Sequence, residues 1–175
     1  MTDATLDMTG AKPAVRLERH LPDPPPVVWL AITEREQLKA WFPCDVIVEG
    51  GRWEVGAAIT FPFPAETIDL TLTGTVLAVD EPTLLSYTWG ADEILRFELY
   101  PDGEGTRLVL TDQLQAGWAA RNAAGWEECL ERLAGLSPEP GAWRRRFDAY
   151  SAAFEPRIGP QEGPPADYKG DSAKS

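Results

Sequence analysis

Val28-Trp29-Leu30-Ala31-Ile32-Thr33, followed eight residues on by Trp41-Phe42-Pro43, carries the strongest architectural signal in the chain. Two tryptophans and a phenylalanine fall in one short, strongly punctuated segment, and each such side chain buries ~150–250 Å² when it packs. A segment with that much apolar surface must dock on something large. Asp23 followed by Pro24-Pro25-Pro26 starts it as a helix, an N-cap acceptor ahead of rings that the first turn tolerates. Thr33 and Glu36 then fit a capping box, so a second short helix runs toward Trp41 and ends at Pro43.

Ahead of this segment, Val15, Leu17 and Leu21 alternate with polar residues and predict a first strand over 15–21. Behind it, residues 45–111 carry the period of strands. Residues 46–49 turn at Gly50-Gly51. Ala57, Ile59, Phe61 and Phe63 alternate, with Pro62 and Pro64 confining that strand's end to an edge. Residues 70–79 form a long strand in which Gly74 marks a bulge. Leu85, Tyr87 and Trp89 share a face, as do Leu95, Phe97 and Leu99, and Asp102-Gly103-Glu104-Gly105 turns a hairpin into 107–111. Sequential antiparallel strands of this kind make a meander.

Helix returns after Gln115. Trp126, Cys129, Leu130 and Leu133 form one apolar stripe, Pro138 and Pro140 break it, and Trp143, Phe147, Tyr150 and Phe154 continue a second amphipathic helix. The fold class is α+β: a curved antiparallel sheet wrapped around a long C-terminal helix, with two short helices after the first strand. Residues 1–13 read as a flexible arm, 14–155 as one domain, and 156–175, rich in Pro, Gly and charge, as a disordered tail.

Composition narrows the function. The net charge of −12, from 28 acidic and 16 basic residues, argues against nucleic acid and against an anionic membrane surface. No apolar run is long enough to cross a membrane, and Met1-Thr2-Asp3-Ala4-Thr5 lacks the features of a signal peptide. Two cysteines are too few for a disulfide framework, so the expected compartment is the reducing cytoplasm.

With these elements in place the chain resembles the SRPBCC (START-like, helix-grip) superfamily, and within it the homologues of the heat-shock-protein ATPase activator. The resemblance rests on the opening stretch and on Gly74-Thr75-Val76-Leu77, Pro82-Thr83-Leu84-Leu85-Ser86-Tyr87-Thr88-Trp89, Gly105-Thr106-Arg107-Leu108 and Gly125-Trp126-Glu127-Glu128-Cys129-Leu130, across residues 15–154. It implies a deep, largely apolar cavity between the sheet and the C-terminal helix. Members of the superfamily carry lipids, hormones or polyketide-like molecules, and some catalyse cyclisation or hydrolysis. The family name alone does not imply chaperone activation.

The inventory of chemical groups is short. The single histidine, His20, sits on the polar face of the first strand. His20, Cys44 and Cys129 are not at metal-ligand spacing, so no metal and no cofactor is expected. Cys44 follows a helix end and Cys129 lies on the apolar stripe, where a small hydrophobe is the simplest reading. Glu98 and Arg96 point to solvent, Asp80 ends a strand, and Gly103-Glu104-Gly105 is a turn without a following helix. Arg144-Arg145-Arg146 reads as a solvated helical face.

The expected function is therefore binding of a hydrophobic small molecule, lipid- or polyketide-like. Trp41, Phe61, Trp89, Phe97, Trp126, Leu130 and Leu133 would line the cavity. Two alternatives stay open. An enzyme acting on a hydrophobic substrate requires a buried titratable group at the void, for which Glu93 and Asp69 are the candidates. A co-chaperone or regulatory protein would work through its acidic surface on a protein client, and a homodimer is compatible with any of these. Trp29 and Trp41 are expected to brace the cavity mouth opposite Trp126.

Overall fold

The computed structural model describes residues 4–169. Eight strands form one antiparallel sheet: β1 (Thr5–Asp7), β2 (Ala14–Leu21), β3 (Ile47–Val48), β4 (Ala58–Pro62), β5 (Thr71–Asp80), β6 (Leu84–Trp89), β7 (Glu93–Asp102) and β8 (Gly105–Gln113), in the order β1-β2-β8-β7-β6-β5-β4-β3. From β3 to β8 each strand pairs with the next, which is the expected meander. β2 closes against β8, with Ala14 opposite Gln113 and Leu21 opposite Thr106. The chain crosses from β2 to the far edge through α1 (Pro25–Thr33) and α2 (Arg35–Leu38), the two short helices carrying the tryptophan-rich stretch.

The starts of those helices differ in detail from the sequence expectation. Asp23 does not cap α1; Pro24 is the N-cap, its carbonyl accepting from the N–H groups of Val27 and Val28 at 3.0 and 3.2 Å. Prolines at 24–26 have no N–H to satisfy, so a side-chain acceptor is not needed there. Thr33 makes no capping box either. Its hydroxyl donates back to the Trp29 carbonyl at 2.7 Å, the helix-interior habit of a threonine, and Glu34 holds the cap position of α2. Gly74 is not the bulge, which falls between Val76 and Ala78. Glycine is required at 74 because a Cβ would lie 2.0 Å from the Thr88 carbonyl oxygen of β6.

The chain ends in α3 (Ala119–Leu133) and α4 (Ala142–Ile158). α3 lies on β2, and α4 packs on α3. Its first half approaches the sheet through Ala119, Ala120, Ala123 and Ala124, all fully buried. Small side chains there let the helix axis sit close, and the space they leave is filled by the leucines of β2, β7 and β8. Bulk returns at Trp126 and Leu130, and Trp126 meets Phe42, whose ring lies 5.6 Å away.

Both expected termini depart from the reading above. Within the arm 1–13, Thr5–Asp7 pairs with Ala14–Arg16, and the Ala4 N–H donates to the Tyr150 hydroxyl of α4 at 2.8 Å. Residues 1–3 lie outside the described residues. Within the tail 156–175, α4 continues to Ile158, and residues 159–169 form a strap across the start of α3. Gln161 supplies what a local capping residue would: its Oε1 accepts from the Ala120 N–H at 2.8 Å and its Nε2 donates to the Ala116 carbonyl at 2.9 Å. Composition alone did not show this, because the strap is held by polar side chains and backbone groups. Residues 170–175 lie outside the described residues.

Candidate functional site

The interior of the sheet is filled by aromatic side chains. Trp41, Phe61, Tyr87 and Phe97 are buried in mutual contact: Trp41 meets Phe97 edge-on at 6.2 Å, and Tyr87 lies 5.7 Å from Phe61 and 6.1 Å from Phe97. Beyond them, toward the end of the sheet where β6 turns into β7, a pocket of about 490 Å³ remains open. The sheet side contributes Leu72, Trp89 and Glu93. The β4–β5 connection adds Phe63, Ile68 and Leu70, and α3 adds Arg121, Asn122, Gly125, Trp126 and Cys129. Trp143 of α4 and Pro164, Pro165 and Tyr168 of the strap complete the wall.

Aromatic rings frame this space. Trp89 and Trp126 lie 5.4 Å apart at 47°, and Phe63 stacks on the other side of Trp89 at 6.1 Å. Phe42, from the tryptophan-rich segment 28–43, touches both tryptophans, at 6.0 and 5.6 Å. The brace opposite Trp126 is thus Phe42. Trp41 turns into the core and ties its indole N–H to the Ala31 carbonyl at 2.9 Å.

One corner of the pocket is polar. Glu93 opens β7 on the same face as Leu95, Phe97 and Leu99, and keeps 8% exposure. Behind it Asp112 of β8 is fully buried. Asn122 bridges the two: its Nδ2 donates to Glu93 Oε1 at 2.7 Å and to Asp112 Oδ2 at 3.0 Å. The Trp126 indole N–H also donates to Asp112 Oδ2, at 2.9 Å. Two acceptor oxygens demanding hydrogen fix which end of the Asn122 amide is the nitrogen. Glu93 Oε2 and Asp112 Oδ1 are buried with no hydrogen-bond partner among the described residues.

These surroundings disfavour charge. Burial pushes the Glu93 carboxyl up to about 9, the nearby Asp112 adds to the rise, and the Asn122 bond and Arg121 oppose it. Burial likewise lifts Asp112, to about 7, against the bonds from Trp126 and Asn122. Arg121 is the one cation of the wall. Burial pulls it down, Glu93 and Glu162 pull it up, and its guanidinium covers the Trp118 ring at 4.9 Å while donating to the Gly163 carbonyl at 3.1 Å.

Residues 23–137 match the family model described as Activator of Hsp90 ATPase homolog 1-like protein. The chain belongs to this family. Its fold is shared with CalU16 from Micromonospora echinospora (20% identity, 87% of this chain and 95% of that one, TM-score 0.66). EF2215 from Enterococcus faecalis is similarly close (23% identity, 87% and 91%, TM-score 0.70). DynU16, from the dynemicin biosynthetic locus, aligns over 70% of this chain and 46% of its own at 23% identity and TM-score 0.60. No curated protein matches the chain.

Within this family fold the seven expected ligand residues divide. Trp89 and Trp126 line the pocket, whereas Trp41, Phe61, Phe97 and Leu130 are buried in the core beneath it. Leu133 packs half-buried against that core, past the pocket's end. An alternating apolar strand predicts the inward face, and most of that face is filled by its own neighbours. Of the two carboxylate candidates, Glu93 reaches the wall, and Asp69 is exposed. Asp112 and Asn122 were missed. The signal for Asp112 is parity: Leu108, Leu110, Asp112 and Leu114 share one row, and an aspartate there interrupts an apolar face.

The remaining candidates are accounted for locally. His20 Nδ1 lies 2.9 Å from Asp102 Oδ2 at the sheet surface. Cys44 and Cys129 are buried free thiols, both raised by burial, Cys129 to about 12. Arg144 and Arg145 face solvent as expected, but Arg146 turns inward, 2.6 Å from the buried Glu127. Among the described residues, no group of three or more His, Cys, Asp and Glu is placed to hold a metal, and no helix is long and apolar enough to cross a membrane.

Proposed function

We propose that this protein binds a hydrophobic, ring-containing small molecule in the pocket between the β4–β5 connection, β6–β7 and α3, beneath the strap. The observation that carries the reading is the 490 Å³ space framed by Trp89, Trp126, Phe63 and Trp143, with polar groups confined to one corner. That is the usual make-up of a small-molecule site, apolar walls with a few converging polar atoms. The place of the structurally similar DynU16 in a biosynthetic locus is in keeping with a polyketide-like ligand. Two buried free thiols are in keeping with a reducing, cytoplasmic setting.

Gly125 gives a clean test. It lines the pocket, and the nearest atom to an added Cβ is Trp143 Nε1 at 4.0 Å, so a side chain there grows into the open space. Titration calorimetry with 2-ethylnaphthalene should show micromolar binding to the native chain and a loss of at least tenfold in Gly125→Leu. Equal binding by both, or none by either, sinks the reading. A second reading, an enzyme acting on the held molecule, is favoured by Glu93 alone, a carboxyl kept protonated at an apolar wall. Turnover of a bound ketone or ester that disappears in Glu93→Gln would support it.

A further inference from the structure

We propose that the pocket selects an uncharged molecule carrying a hydrogen-bond-accepting oxygen, such as a ketone, ester or lactone, with Glu93 as the donor, and that it rejects carboxylates of the same shape. This rests on the binding function proposed above and names the chemistry of its ligand.

Most hydrogen-bond donors of the wall are already engaged. Both hydrogens of Asn122 Nδ2 are spent on Glu93 and Asp112. The indole N–H of Trp126 is spent on Asp112, and that of Trp118 on Glu162 Oε2 at 3.1 Å. Arg121 gives one of its five N–H donors to the strap at Gly163 and lies over Trp118, the rest leaving it the anchor that an anion, not a neutral oxygen, would favour. What is left is the Trp89 indole N–H, buried without a partner among the described residues, and the pair of carboxyl groups, which share one bridging amide and leave an oxygen each without a partner. Two negative charges cannot both be held in so apolar a place at ordinary pH, so the pair retains a proton. Glu93 Oε2, where that proton can sit, has no hydrogen-bond partner among the described residues. The terminal carboxyl torsion is broad and two-fold, so either oxygen of Glu93 can be turned to a ligand.

The same corner repels anions. Asp92 is on the wall, Asp112 lies behind, and Glu162 of the strap sits within reach of Arg121. Arg121 is the single opposing charge among the lining residues. The groups that set the protonation of Glu93 therefore come from every side: Asp112 from β8, Arg121 and Asn122 from α3, and Asp92 from the β6–β7 turn. Trp89, opposite Glu93 on β6, adds bulk without charge.

Three probes of one shape separate the possibilities: 2-ethylnaphthalene, 2-acetylnaphthalene and 2-naphthoate, titrated by calorimetry into the full chain from pH 6 to 10. At pH 7 the ketone should bind on the order of tenfold more tightly than the hydrocarbon, the scale of one buried hydrogen bond, and the naphthoate more weakly than either. The ketone's advantage should fade as the pH passes through about 9. Glu93→Gln keeps an N–H donor, so it should keep the preference for the ketone and lose the pH dependence. Glu93→Met should bind ketone and hydrocarbon alike. A cooperative thermal melt establishes that each variant is folded. Equal affinity of the native chain for ketone and hydrocarbon, an undiminished ketone preference in Glu93→Met, or naphthoate as the tightest ligand would each overturn the proposal, the last pointing to Arg121 as anchor. Failure of all three probes would instead overturn the binding function on which it stands.

Discussion

Two buried acidic sites flank α3, and they are built on opposite plans. On the α4 side, Glu127 is 1% exposed and its charge is answered at once: Arg146 Nε lies 2.6 Å from Oε2, and the Tyr150 hydroxyl donates to Oε1. Arg146 also reaches Glu131, and Tyr150 accepts from the Ala4 N–H, so the network ties α3, α4 and the N-terminal strand together. On the sheet side, Glu93 and Asp112 share a neutral amide, have no cation in hydrogen-bond contact among their described partners, and leave two oxygens unpartnered. Glu127 faces packed protein, whereas Glu93 faces a void. A carboxylate with a matched cation holds a structure together, and a pair denied one is costly to the fold and useful at a pocket wall.

The largest effect should come from breaking the answered charge. Arg146→Met leaves Glu127 buried beside an apolar side chain and should cost about 3 kcal/mol in urea unfolding. The unanswered pair should respond in the opposite sense. Its folded pKa is raised, so the folded chain keeps a proton that the unfolded chain releases. The contribution of Glu93 to stability is then complete below about pH 4.5 and is lost as the pH climbs toward 9. Glu93→Gln removes that loss and should stabilise the protein by about 2 kcal/mol at pH 8, with a rise in melting temperature of roughly 5 °C. At pH 4 the same substitution should change little. A gain at both pH values, or at neither, would erase the contrast between the two sites.

Tyr150→Phe probes the answered site more gently. It removes one donor to Glu127 and the acceptor of the Ala4 N–H, and should cost about 1–2 kcal/mol in denaturant unfolding. The baseline is the exposed pair of His20 and Asp102, whose side chains are 61% and 55% exposed. His20→Asn should stay within about 0.5 kcal/mol of the native chain by the same measurement.

The contrast also marks where the sequence was legible. Alternation and punctuation give β2 to β8 and the middle of both long helices, because burial of one face forces period two or three-to-four on the chain, but not β1 or the last turn of α4. The short helices are read instead from their end signals, of which the prolines at 24–26 and 43 hold and the Asp23 cap and Thr33 capping box do not. Which inward residues line a space and which fill it depends on distances between elements far apart in sequence. Phe61 and Phe97 have the parity of Trp89 but lie under Phe42 and Trp41. Glu93 could be suspected from its own strand. Asp112 needed the row Leu108-Leu110-Asp112-Leu114 read as a face, and Asn122 needed the approach of α3 to Glu93 and Asp112, far from it in sequence. The strap could not be read from periodicity, having none. Its order comes from Gln161, Glu162 and Gly163 meeting the start of α3.

The Trp89 and Trp126 rings, 5.4 Å apart and tilted by 47°, have a consequence of another kind. Two identical chromophores that close and skewed share their electronic excitation, and a skewed pair has handedness. The protein should therefore show a paired positive and negative band in its tryptophan circular dichroism, a signal that parallel or distant indoles do not give. Both rings face the same space, so anything entering between or against them alters their angle and their common excitation. The wall of the pocket is its own optical gauge, readable without label or mutation.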